Sequence, residues 1–157
     1  MSRTFHNVLC PTDLSPTGDD AVALAFALAA EGATVHLLHV CEPAFLMSPL
    51  DATPLVVTPS TPEGQAALER KANQHMRRLA PDATSGRNVR TEHHVVHDVN
   101  PAAVIEREAR RLGCDLIVLG THGRTGLGRV LMGSVATDVL RRSKVPVLLF
   151  HGGRAKE

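Results

Sequence analysis

Apolar residues occur along this chain in two alternating arrangements: short runs of strand length and longer stretches with helical spacing. The runs are Val8-Leu9-Cys10, Val35 to Cys41, the weaker Val89 to His97, Leu116 to Leu119, and Val145 to Phe150. Between them, Ala21, Leu24, Ala25, Leu28 and Ala29 recur on one helical stripe, followed by Leu68, Ala72, Met76 and Leu79 on a second. Ile105, Ala109 and Leu112 form a third, and Val135, Val139 and Leu140 a fourth that is expected to face inward. Ser15-Pro16, Thr61-Pro62 and Asn100-Pro101 each place a capping side chain before a proline at the first helical position, and Ser134 opens the fourth helix. Gly32 is the expected end of the first helix, Pro81 follows the second and Gly113 ends the third. Arg141, Arg142 and Lys144 complement the dipole at the end of the fourth.

The order is therefore β-α-β-α-β-α-β-α-β, and the fourth run, and partly the first, are apolar throughout rather than alternating. That pattern predicts an α/β fold: a single-domain, five-stranded parallel sheet with helices on both faces. Ligands of such sheets bind beyond the carboxyl ends of the strands where the strand order reverses, which directs attention to Asp13, Cys41 and Gly120 at three strand tips. Pro146, near the start of the last strand, favours an edge position. One stretch breaks the alternation: Glu42 to Pro62 holds Pro43, Pro49, Pro54, Pro59 and Pro62 together with Phe45, Leu46, Met47, Leu50, Leu55, Val56 and Val57. This insertion, 42–62, reads as a partly ordered excursion rather than an ordinary connection, because it is both too long and too apolar. The domain is expected to span 1–151, with a tail at 152–157 that frays.

The stretch from Leu119 to Ser134 carries the candidate chemistry. An apolar strand feeds a loop with five glycines and two arginines that ends on Gly133-Ser134 at a helix start. Backbone N–H groups and a helix dipole in that order can hold an anion. The spacing Gly120-x2-Gly123-x9-Gly133-Ser134 is not a P-loop, since no lysine precedes Ser134, and it is not the tight glycine turn of a dinucleotide fold.

Composition narrows the partners. The formal net charge of +1 gives no electrostatic case for nucleic acid or an anionic membrane, and the absence of Trp and Tyr argues against a base-stacking surface. No leader-like apolar segment opens the chain and no run approaches a membrane span, so a cytoplasmic location is the expectation. Cys10, Cys41 and Cys114 are odd in number and far apart, which suggests buried or half-buried free thiols. Nine histidines raise a metal reading, chiefly His93-His94-x-x-His97 and His36 with His39. On a strand His93 and His97 share a face and His94 points away, and with no Cys or carboxylate cluster in view to complete a set, no metal site is assigned.

With these residues in view, the sequence resembles the universal stress protein family, in its ATP-binding branch, over nearly the whole chain. Val8 to Asp13 with Ser15 is similar to the family's first strand and acidic tip, and Cys114 to Arg124 to its fourth strand and loop. Gly133-Ser134-Val135-Ala136 and Val145-Pro146-Val147-Leu148 are similar to its helix start and final strand. The chain departs from the family at His97-Asp98-Val99-Asn100-Pro101, where a glycine often precedes the proline. The resemblance implies a Rossmann-like fold of the adenine nucleotide alpha hydrolase-like kind. It also implies an ATP site, with AMP or ADP as alternatives and Mg²⁺ or Mn²⁺ accompanying the phosphates. Pro11, Thr12 and Asp13 would meet ribose and adenine, and Val40 would line the adenine pocket. Gly120, Gly123, Gly133, Ser134 and Val135 would hold ribose and phosphates. By residue type alone, Arg124 and Arg129 either add charge to the phosphates or are solvated, and His122 is a loop or phosphate-contacting histidine ahead of a general base, since no Ser-His-Asp order accompanies it. A homodimer through Val145-Phe150 is implied as well.

No paired carboxylates, activated nucleophile or water-positioning residue stands beside the loop, so a nucleotide-dependent stress-response module ranks above an enzyme. The alternatives are slow hydrolysis of bound ATP and a dimeric interaction protein that needs no nucleotide. A phosphoacceptor receiver ranks lower, since Lys144 precedes its strand. So does a flavodoxin, since no Trp or Tyr is present to flank a flavin.

Overall fold

Val8, Leu9 and Cys10 have 0% exposure at the centre of the sheet, and their unbroken apolar character follows from a helical layer on each side. They belong to β1 (Phe5–Pro11) in a computed structural model that describes residues 4–43, 45–47, 54–56, 61–80, 88–121 and 133–151. The chain continues through α1 (Pro16–Leu28), β2 (Ala29–Cys41), β3 (Phe45–Met47), β4 (Pro54–Val56) and α2 (Pro62–Leu79). It then forms β5 (Arg90–His97), α3 (Pro101–Arg111), β6 (Leu116–Gly120), α4 (Ser134–Arg142) and β7 (Val147–Phe150).

Five strands pair in the order β5-β2-β1-β6-β7, every neighbouring pair parallel. The chain winds from β1 outward to β2 and β5, then crosses back to β6 and β7, so the order reverses between β1 and β6. Side chains alternate across the sheet. Val8, Cys10, Val35, Leu37, Leu116 and Val118 pack with Ala21, Val22, Ala25 and Phe26 of α1 and with Met76 of α2. Leu9, Leu38, Ile117 and Leu119 pack with Ala102, Ile105 and Ala109 of α3 and with Val139 of α4. This is the α/β class that the sequence pattern predicts.

Three helix starts are capped as their sequences require. Ser15 Oγ accepts from Gly18 N at 3.2 Å, Thr61 Oγ1 from Gly64 N at 3.2 Å, and Asn100 Oδ1 from Ala103 N at 3.1 Å. Each cap contributes on the order of 1 kcal/mol. Cys10 and Cys114 are buried and Cys41 half-buried, all free, as expected. Burial pushes the Cys10 and Cys114 thiols up to about 12.

The structure differs from the sequence pattern at four points. α1 ends at Leu28, not at Gly32, because Ala29 pairs with Phe5 and the sheet captures the turn. Gly32 instead sits inside β2 with φ of 74°, and its N–H donates to Asn88 O at 2.9 Å. Ala21 and Ala25 are buried on α1 as expected, but Val22 and Phe26 join them there, while Leu24 and Leu28 are half-buried at its margin. Leu68 and Leu140 are 39% and 40% exposed, so α2 packs through Ala72 and Met76, and α4 through Ala136 and Val139. Finally, β7 begins at Val147. Pro146 supplies only its carbonyl, which accepts from Ile117 N at 2.9 Å, and the strand lies at a sheet edge.

Within the insertion, β3 and β4 form a small antiparallel pair with Phe45 opposite Val56. Its remaining residues and the expected tail, 152–157, lie outside the described residues.

The two core assignments separate by mutation. Ile117→Ala, at 0% exposure in β6, is expected to lower unfolding free energy by about 2–5 kcal/mol in urea titrations. Leu140→Ala is expected to change it by no more than about 0.5 kcal/mol. Equal losses for both would contradict the packing of α4.

Candidate functional site

At the carboxyl end of β1 the chain turns sharply into α1, and the turn is fixed by its own side chains. Thr12 Oγ1 accepts from Leu14 N at 3.0 Å, and Asp13 Oδ1 accepts from Ser15 N at 3.0 Å and from the Ser15 hydroxyl. Leu14 between them has φ of 61°, a left-handed conformation that costs a leucine on the order of 1 kcal/mol or more. Thr12 N donates to Leu38 O at 2.8 Å, and His39 Nδ1 lies 2.8 Å from Thr12 O, so β2 braces the turn. The Asp13 carboxylate is thereby held half-buried at the strand tip. Gly18, on the first turn of α1, is the residue that permits this approach. A Cβ there would stand 2.7 Å from Thr12 Oγ1 and 2.9 Å from Asp13 Oδ1.

The facing wall is the tip of β6. Gly120 is half-buried against Thr17 of α1, where a Cβ would meet Thr17 at 3.4 Å. Thr121 follows, 7% exposed; its N–H donates to Phe150 O at 2.9 Å and its carbonyl accepts from Gly133 N at 3.1 Å. The Thr121 hydroxyl also lies 2.9 Å from His151 Nδ1. The Gly133 bond draws the start of α4 to the end of β6. Gly133 is the N-cap of α4 and offers no side chain to its first turn, unlike Ser15, Thr61 and Asn100. Ser134 is exposed at that end and Val135 half-buried. A helix start of this kind presents N–H donors and a partial positive charge to an anion.

Of the residues singled out from sequence, Pro11, Thr12 and Asp13 lie at the β1 tip, with Val40 near the end of the adjacent β2, half-buried beside the core under α3. Gly120 ends β6, and Gly133, Ser134 and Val135 open α4. His122, Gly123, Arg124 and Arg129 lie outside the described residues. Sequence reasoning missed Gly18 and Thr121. The only signal for Gly18 was a glycine three residues after a helix-capping serine, a place where a better helix former would ordinarily stand.

A second group of polar side chains lies two strands away. His36 on β2 and Glu92 and His94 on β5 bring their ligand atoms within 4.8 Å of one another. The reading that no carboxylate completes a histidine set is thus corrected: parallel register places His36 opposite Glu92, a pairing that spacing within either strand does not reveal. Burial holds the His36, His93 and His94 imidazoles below their ordinary value, with nearby positive charge from Arg111 or Arg77 adding to the effect. Burial alone would push the Glu108 carboxyl up, but hydrogen bonds from Arg111 and Arg107 bring it below its ordinary value. A cavity of about 760 Å³, lined in part by Arg70, Arg77, Arg78 and His93, follows the β5 edge rather than the β1–β6 crevice.

A parallel sheet wound in both directions from its centre, with a crevice at the point where strand order reverses, defines the doubly wound class of α/β folds. Within that class, a model of the universal stress protein family matches residues 4–151, and the chain belongs to that family. Universal stress protein MJ0531 of Methanocaldococcus jannaschii is 32% identical over 92% of this chain and 81% of its own length. MJ0577 of the same organism is 28% identical over 95% of this chain and 96% of its own. The solved structure of MJ0577 superposes with a TM-score of 0.74, at 26% identity, over 98% of this chain and 100% of that one. A universal stress protein solved in complex with cAMP shares the fold, with a TM-score of 0.63 at 23% identity over 95% of this chain and 98% of that one. No helix among the described residues is long and apolar enough to cross a membrane.

Two outcomes follow from these side chains. Gly18→Ala is expected to lower stability by about 1–3 kcal/mol, because backbone or turn must shift to admit the methyl group. An unchanged urea midpoint would show that the turn is looser than described. The three histidines take up their protons at lower pH in the folded chain than the ordinary value of 6.5, so the unfolded chain takes up protons first. Their contribution is complete above that value and is lost as pH falls through it toward their folded values. Melting temperature is therefore expected to fall between about pH 7.5 and pH 5.5, with a shallower fall in His93→Asn. An identical slope in that variant would contradict the assignment.

Proposed function

We propose that this universal stress protein binds an adenine nucleotide between the tips of β1 and β6. ATP is the leading ligand and AMP or ADP the alternatives, and the protein serves as a nucleotide-dependent stress-response module. The observation that carries the reading is the placement, on either side of the switch point, of a braced Asp13 turn after β1 and of an α4 start whose N-cap, Gly133, has no side chain to offer. Asp13 accepts from ribose hydroxyls, and Pro11, Thr12 and Val40 border the base. Gly120, Gly133, Ser134 and Val135 offer close backbone approach and donors to the phosphates. His122, Gly123, Arg124 and Arg129 complete the loop in this reading. Mg²⁺ or Mn²⁺ accompanies the phosphates in this reading, whose oxygens are the ligands such ions favour. The cAMP complex of a family member is support of a general kind, that an adenine nucleotide can be held on this fold. We further propose a homodimer through the edge formed by β7 and its approach, Val145 to Phe150, which would cover exposed backbone groups.

Calorimetric titration of the chain with ATP, ADP and AMP is the test. Saturable binding of one nucleotide is expected, weakened about tenfold in Asp13→Asn through loss of a charge-assisted hydrogen bond. Gly133→Ala is expected to weaken binding as well. A chain that binds none of the three nucleotides would overturn the reading. Sustained turnover of ATP would move it toward an enzyme, and sedimentation as a monomer at micromolar concentration would remove the dimer.

A further inference from the structure

His36, Glu92 and His94 share the α3-facing side of the sheet at its β5 edge, alongside Leu38 and Val96 of the core there. His36 Nδ1 stands 3.2 Å from Glu92 Oε2 and 3.3 Å from His94 Nε2, and those two atoms are 3.7 Å apart. A tetrahedral ion with N and O ligands at about 2.0–2.1 Å spaces them about 3.3–3.4 Å apart, so this triangle has the size of one face of such a shell. We infer that His36 Nδ1, His94 Nε2 and one carboxylate oxygen of Glu92 form a binding site for a divalent transition-metal ion of the zinc class, with water in the remaining position.

The donor set selects the metal. Two imidazoles and one carboxylate suit Zn²⁺, Co²⁺, Ni²⁺ or Cu²⁺, whereas Mg²⁺ and Ca²⁺ favour oxygen alone. The side chains of His36 and His94 are 6% and 19% exposed, which holds the imidazoles in place, while Glu92, at 54%, leaves a route for the ion and its water. Without a cation, two nitrogen atoms and a carboxylate oxygen compete for very few protons at one point. An ion satisfies all three lone pairs together.

Two features restrain the affinity. Arg111 on α3 adds positive charge near both imidazoles, though Glu108 holds its guanidinium at 2.6 Å and offsets much of that charge. His36 Nε2 is buried and has no hydrogen-bond partner among the described residues, so the acceptor that ordinarily supports a ligating imidazole is missing there. The expected dissociation constant is therefore micromolar rather than nanomolar. Such an ion would tie the edge strand β5 to β2. It is independent of the nucleotide reading, because it uses none of the same residues.

The test uses the full chain without an affinity tag, stripped by chelator, then titrated with ZnCl₂ calorimetrically and with CoCl₂ by visible absorption. One equivalent should bind, Co²⁺ should give the intense bands of four-coordination, and Zn²⁺ should raise the melting temperature. His94→Ala and Glu92→Gln should each weaken binding about tenfold or more and remove the Zn²⁺-dependent thermal shift. His93→Ala, whose side chain lies on the opposite face, should leave both unchanged. Glu92 is exposed, so Glu92→Gln keeps the test decisive even where His94→Ala fails to fold. Absence of saturable binding, binding unaffected by Glu92→Gln, or an equal loss in His93→Ala would each overturn the site.

Discussion

The reversal of strand order between β1 and β6 is the constraint on which the rest of this molecule depends. A parallel sheet wound in both directions buries its central strands on both faces, and Val8, Leu9, Cys10, Ile117 and Val118 are at 0% exposure as a result. The same reversal sends the connections after β1 and β6 to opposite faces, α1 to one and α4 to the other. Their starts must diverge, and a crevice opens between them. The site is thus a product of topology, and side chains then give it chemical character.

That character is polar at a place where the core ends. Thr12 and Thr121 are both buried, at 5% and 7%, and both are engaged with backbone. They carry the change from an apolar sheet to a polar rim without unpaired hydroxyl groups. Leu14 takes a left-handed conformation between two side chains that hold the bend closed. A turn fixed in this way presents its carboxylate without further ordering, which is the condition for efficient recognition of a small polar ligand.

Much of this architecture was legible in the residues because local signals and tertiary packing agree. Ser15-Pro16, Thr61-Pro62 and Asn100-Pro101 announce helices that begin where they say, and the apolar runs at Val8 and Leu116 announce strands buried on both sides. Legibility failed where a partner distant in sequence decides. Phe5 draws Ala29 into the sheet and shortens α1 against the pull of its helical stripe. Leu68 and Leu140 keep helical spacing but lie beyond the surface their helices bury. Periodicity cannot report where a neighbouring layer stops. The grouping of His36 with Glu92 and His94 is the clearest case, since parallel register sets it and no spacing within one strand encodes register. Gly18 illustrates a different limit: its role is space left for Thr12 and Asp13, and empty space has no sequence signature of its own.

The centre of the sheet and its β5 edge thus gather different groups. The centre offers a crevice braced by backbone and capped by a helix start, while the β5 edge gathers imidazoles and a carboxylate. Binding of an adenine nucleotide in the crevice is decided by hydrogen exchange followed by mass spectrometry, in the presence and absence of saturating ATP. Exchange is expected to slow in peptides covering 11–16 and 133–137, with β5 unchanged. Protection confined to β5 and α2, or none at either strand tip, would contradict it.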